Sequence, residues 1–118
     1  MSYDISLLDQ TTREVLHTDE PHAIAGGTYR VGGTTEAWLN VTYNYSKHFR
    51  RVLGENGIRS IYGKTGEQSL PVLRAAIEQL KTDESEDYWL PTEGNARAAL
   101  VSLCKLAELF PQGVWDGD

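Results

Sequence analysis

Gly63-Lys64-Thr65, set between an apolar stretch and a helical pattern, is the most chemically suggestive string in the chain. A phosphate loop needs G-x-x-x-x-G-K-[ST], because its backbone N–H groups must wrap the phosphates before the lysine reaches them. That spacing asks for glycine at position 58, which is Ile58; Gly57 sits one residue too far away. Gly66 follows Thr65, and the pattern predicts that the helix starts only near residue 69. A nucleotide hydrolase is therefore excluded, and only an anion site at the helix N-terminus beside Lys64 and Thr65 is left open. His17 and His22 flank Asp19 and Glu20, but this spacing around Pro21 is no recurring metal-ligand pattern and lacks a third ligand. Cys104 falls in an apolar helical stripe, where cysteine behaves as a small hydrophobe, and no base accompanies it. No serine sits in a nucleophile elbow. The residues point away from an enzyme, and they imply no metal and no cofactor.

The charge pattern says more. The chain has 118 residues and a formal net charge of −6. Acids and bases balance over residues 1–82, so the whole excess falls in residues 83–118. Within the balanced part, Lys47, Arg50, Arg51, Arg59 and Lys64 face only Glu55, forming a basic stretch over residues 47–64. The acidic total argues against direct nucleic-acid binding, which rests on basic charge. Segregated charge suits docking on a basic partner or head-to-tail self-association into a homo-oligomer. A solvated acidic face is the alternative.

The length fits a single globular domain over residues 1–118, and one cysteine excludes an intramolecular disulfide framework. No apolar run reaches the length of a membrane span, and the N-terminus lacks a secretory pattern, so the expected location is the cytoplasm.

Residues 3–8 alternate as a half-buried strand, and polar residues 9–12 predict a turn into a return strand over residues 14–18. Residues 19–22, with Pro21, are expected to end that hairpin. Gly26, Gly27, Gly32 and Gly33 predict a shaped loop able to cradle an anion or simply to turn the chain. Residues 37–45 make the strongest strand, with Ala37, Leu39, Val41, Tyr43 and Tyr45 on a core face. Its other face carries Trp38, Asn40, Thr42 and Asn44. Ser46 is expected to cap a short helix over residues 47–53, closed by Gly54. Residues 58–62 read as extended. A helix over residues 69–81 follows, with Arg74 and Glu78 as an i,i+4 pair. An acidic linker over residues 82–87 leads to Tyr88, Trp89, Leu90 and Pro91. Thr92 caps a last helix ending near Phe110. Strands first and helices later predict an α+β fold, in which a small antiparallel sheet from the N-terminal half packs against two longer C-terminal helices and one short helix.

The blocks GGTYRVGGTTEAWLNVTYNYS and DYWLPTEGNARAAL resemble a family of small, mostly uncharacterised phage and prophage proteins. The resemblance runs nearly end to end and implies a setting, phage biology inside a bacterial host cell. It carries no catalytic residues. Small acidic phage proteins without enzyme motifs often bind host machinery, so it favours a counter-defence inhibitor of anti-CRISPR type.

Two site readings follow. In the first, Asp83, Glu84, Glu86, Asp87, Tyr88, Trp89, Trp115 and Asp116 form an acidic surface with aromatic anchors. Its partner is a host bacterial protein, such as a defence effector with a nucleic-acid-binding groove. In the second, Gly26, Gly27, Gly32, Gly33, Trp38, Asn40, Thr42, Asn44, Arg50, Arg51, Lys64 and Thr65 bind or sequester a nucleotide or other anionic metabolite. A structural or assembly role in the virion is a further alternative. The sequence leaves Trp38, Trp89 and Trp115 open as core or interface.

Overall fold

Alternation in the first strand decides the arrangement of the sheet. In the computed structural model, which describes residues 1–22, 24, 34–87 and 89–118, β1 (Ser2–Leu8) turns Tyr3, Ile5 and Leu7 inward. It is the central strand of a three-stranded antiparallel sheet, flanked by β4 (Trp38–Thr42) and β5 (Val114–Gly117). Tyr3 lies opposite Val41, Ile5 opposite Leu39, and Leu7 opposite Trp115, so the inward residues of all three strands share one face. That face, with Leu73, Ala76, Leu100, Leu103 and Ala107 from two helices, belongs to one continuous buried cluster. The α+β class stands as expected.

The turn after β1 closes as predicted: Asp9 donates to the Glu14 carbonyl at 2.8 Å, and Leu16 to the Leu7 carbonyl at 3.0 Å. The return strand does not stay beside β1. Beyond a single bridge between Leu8 and Val15, the chain leaves to form β2 (His17–His22), which pairs with β3 (Thr34–Glu36) in a separate two-stranded sheet. Pro21, expected to end the hairpin, instead lies inside β2. In a two-stranded sheet an outward edge position asks nothing of the missing N–H. The place beside β1 goes to β5 instead, which brings Trp115 over the core.

Residues 37–45 do not form one strand. Ala37 bends, β4 covers only Trp38–Thr42, and Tyr43–Tyr45 is a 3₁₀ turn leading into α1 (Ser46–Leu53). Ser46 is not the cap, because its N–H already donates to the Tyr43 carbonyl and its hydroxyl lies 2.6 Å from the Tyr3 hydroxyl. Gly54 ends α1 at φ 101°, a conformation that glycine adopts readily.

Residues 58–62 are not extended either. Gly57–Ile61 is a 3₁₀ turn, and Ile58 and Ile61, three apart and so on one side of it, are both buried. The next helix starts three residues earlier than predicted: α2 (Gly66–Glu78) is capped by Thr65, whose hydroxyl accepts from Gln68 N–H while the Gln68 side chain accepts from Thr65 N–H. Arg74 reaches Glu108 of α3 (Glu93–Leu109) at 3.2 Å rather than Glu78. The Thr92 cap of α3 is as expected. Among the described residues, no helix is long and apolar enough to cross a membrane.

Candidate functional site

The N-terminus of α3 organises the acidic segment. Gly94 N–H donates to the Asp83 carboxylate at 3.1 Å, so one acid of the linker sits at the positive end of the helix. The chain lies directly on Gly94: a Cβ there would fall 2.5 Å from the Asp83 carbonyl carbon and the Glu84 nitrogen.

Asn95, buried at the next position, fastens the loop from within. Its Oδ1 accepts from Ser85 N–H at 2.9 Å, and its Nδ2 donates to the carbonyls of Asp87 at 3.1 Å and Leu90 at 2.9 Å. Inside the loop, Asp87 accepts from Trp89 N–H at 3.0 Å. Residues 82–87 are therefore a pinned loop and not a slack linker.

A second set of contacts holds the far side. Asn44 Nδ2 donates to the Trp89 carbonyl at 2.8 Å, His48 Nε2 to the Pro91 carbonyl at 2.7 Å, and Arg51 to the Glu93 carboxylate at 2.8 Å. A carbonyl only accepts, so the His48 proton is on Nε2. Spacings of four and three put these side chains on one side of the helical run from Tyr43 into α1. They meet alternate residues from Trp89 to Glu93, where the loop enters α3.

Fixed on both sides, the loop still leaves several of its side chains exposed. Trp89 and Leu90 are 44% and 47% exposed, and Glu84, Glu86 and Asp87 are exposed around them. Lys47 and Arg50 are exposed on the neighbouring helix. The surface is an apolar step with acidic chains before it.

The structure divides the first predicted site. Asp83, Glu84, Glu86, Asp87 and Trp89 come together, while Tyr88 lies outside the described residues. Trp115 is corrected from anchor to core: it is 1% exposed, and its indole N–H donates to the Ser69 hydroxyl at 2.7 Å. Asp116, exposed on β5, lies opposite Ser6 in the sheet.

The second predicted site is dispersed over three supports. Gly26, Gly27, Gly32 and Gly33 lie outside the described residues. On β4, Thr42 is fully buried and Asn40 is 8% exposed, donating to Ser2 and Asp4, so the face expected to be open to a ligand is largely covered. Trp38 donates to Asp4 at 3.3 Å. Asn44 is committed to the loop, Arg51 to Glu93, and Arg50 projects from α1.

Lys64 and Thr65 precede a helix N-terminus whose donors are already used. Gly66 N–H donates to the Gly113 carbonyl at 2.8 Å, Glu67 N–H to the Pro111 carbonyl at 2.9 Å, and Gln68 N–H to Thr65. The helix begins directly after Thr65, contrary to the late start expected, but the chain's own carbonyls occupy the position where an anion would bind.

Burial pushes the Tyr62 hydroxyl up, aided by Asp118, and burial likewise raises the Cys104 thiol. Asp9 is held below the usual carboxylate range by the N–H groups of Thr12 and Thr11. Among the described residues, no group of three or more histidine, cysteine, aspartate or glutamate side chains could hold a metal ion.

Sequence reasoning missed Asn95 and His48, the residues that shape the loop. The available signal was an asparagine three residues after a capping threonine, a position close enough to the helix end to reach a returning chain. No family model, curated protein or solved structure matches the chain.

Proposed function

We propose that this chain is a non-enzymatic binding protein that docks on another protein through residues 83–91. The observation that carries this reading is the paired exposure of Trp89 and Leu90 on a loop fixed from both sides. Large apolar side chains on a pre-ordered loop bind with little entropy left to lose, and surrounding acids steer the encounter toward a basic surface.

The phage-protein resemblance supports the setting: the bacterial cytoplasm, with a host protein as partner and inhibition as the outcome. A defence effector with a basic nucleic-acid groove matches the acidic rim in charge. An inhibitor of this kind needs no catalytic group, since occupancy alone blocks the groove.

Capture from bacterial lysate on the immobilised protein tests the reading. A host protein retained by the wild type and lost by Trp89→Ala with Leu90→Ser, and weakened by Glu84→Gln with Glu86→Gln, is the expected result. Equal recovery by all forms, or recovery of nothing by any, overturns it.

A further inference from the structure

The opposite end of α3 carries a different kind of surface. Two recesses adjoin there. One, of ≈ 460 Å³, lies among Asp9, Gln10, Leu16, Leu109, Phe110 and Gly113. The other, of ≈ 230 Å³, lies among His17, Thr18 and Asp19 and shares Leu109 and Phe110. The larger is within the size range of binding clefts. With 17 residues in α3, this end lies about 25 Å from the acidic loop at a helical rise of ~1.5 Å per residue.

Its walls are already set. Leu16 packs onto the Gly113 backbone so closely that a Cβ there would meet its Cδ1 at 2.8 Å. Gln10 Nε2 ties the turn after β1 to the Gln112 carbonyl at 2.7 Å. Leu109, the last residue of α3, is 55% exposed between the recesses.

The carboxylates among the described lining residues are not matched by a basic side chain in the lining. Asp9 and Asp19 stand on the two sides, and no described lining residue is lysine or arginine. Asp9 is ionised at neutral pH, its carboxylate accepting from the N–H groups of Thr11 and Thr12. The negative end of the α3 dipole points here; its last turn contains no basic residue of its own, and Arg74 of α2 pairs with Glu108 there. Two recesses sharing a central apolar ridge suit an elongated occupant with side chains falling on either side of it.

We infer that this groove is a second docking surface, and that its occupant is an extended basic segment of a partner protein, with an apolar side chain against Leu109 and Phe110 and lysine or arginine side chains meeting Asp9 and Asp19. The binding reading for residues 83–91 does not depend on it, because the two surfaces lie at opposite ends of one helix.

The test is a titration of the ¹⁵N-labelled protein, followed by NMR, with two end-blocked peptides, one alternating arginine with leucine and the other glutamate with leucine. The basic peptide should move the amides of Gln10, Thr11, Leu109 and Gly113, and the acidic one should bind roughly tenfold more weakly or not at all. Asp19→Asn with Leu109→Ser changes two exposed residues, so the fold is retained, and it should weaken the basic peptide at least about fivefold. Equal binding of both peptides, no movement at these amides, or movement centred on Glu84 and Glu86 would overturn the inference. The last result would place the basic segment on the acidic loop instead.

Discussion

The indole N–H of Trp115 donates to the Ser69 hydroxyl at 2.7 Å, and that hydroxyl donates in turn to the Gly66 carbonyl at 2.8 Å. One buried relay thus joins β5 to the first turn of α2. Trp115→Ala should cost about 3–5 kcal/mol through loss of a large core side chain. Ser69→Ala, which strands the indole N–H, should cost about 1–3 kcal/mol. Urea unfolding measures both, and wild-type stability in either variant would show the relay to be idle.

Trp89 and Leu90 should behave in the opposite way. Their exposure predicts that Trp89→Ala with Leu90→Ser shifts stability by no more than about 1 kcal/mol. Partner capture should nevertheless be lost. A large fall in stability would mean that these side chains serve the fold and not a partner.

Asn95→Ala removes three loop contacts at once and should cost about 1–3 kcal/mol. Hydrogen exchange is the more telling readout. The Ser85 N–H should lose protection, and exchange should spread to Trp89 and Leu90, while the α3 interior stays protected. Unchanged exchange over residues 85–90 would place the loop's fastening elsewhere, on Asn44 and His48.

Gly66→Ala would be mild in an ordinary helix and should be costly here. The added Cβ falls 2.5 Å from the Phe110 carbonyl and 3.0 Å from the Ala107 carbonyl, both backbone atoms that cannot swing aside. Destabilisation of about 1–3 kcal/mol is expected by thermal or urea unfolding. A neutral effect would mean that α2 and α3 separate more easily than their packing shows.

Cys104 gives a pH prediction. Burial raises its thiol above its ordinary 9.0, so the folded state favours the protonated form. The associated stability is fully present below that ordinary value and declines as pH rises toward the folded-state pKa. Between pH 8 and pH 10 the wild type should lose more melting temperature than Cys104→Ala. Iodoacetamide should also label the native thiol far more slowly than the unfolded one. Equal pH losses, or fast native labelling, would contradict the burial.

What the sequence disclosed follows from where its signals are local. The alternation in residues 3–8, the Thr92 cap and the apolar face of α3 are short-range patterns, and each has its counterpart in the structure. The misreadings share a cause: pairing at long range. Val15 and Leu16 look like the return strand of a hairpin, because nothing nearby reveals that residues 114–117 take the place beside β1. Trp115 reads as an exposed anchor among Asp116, Gly117 and Asp118 for the same reason. At the acidic loop, the sequence exposes the charges and Trp89. It hides that Asn95 and α1 hold them, since those partners converge only once α1 lies against the start of α3.

The pairing of β1 with β5 also has a consequence for synthesis. Asp4 N–H donates to the Asp118 side chain at 2.8 Å across 114 residues of chain. On the ribosome β1 emerges well before residues 114–117, so one of its edges stays open until they follow. Helices α2 and α3 can pair beforehand, but the buried cluster lacks Trp115 until translation of that segment is complete. Closing a loop of this length raises the contact order and slows folding. The nascent protein therefore passes through a stage with an unpaired strand edge, the state most open to misassociation. Ribosome-bound chains stalled before residue 114 should be cleaved readily by protease, and chains stalled with residue 118 clear of the exit tunnel should resist.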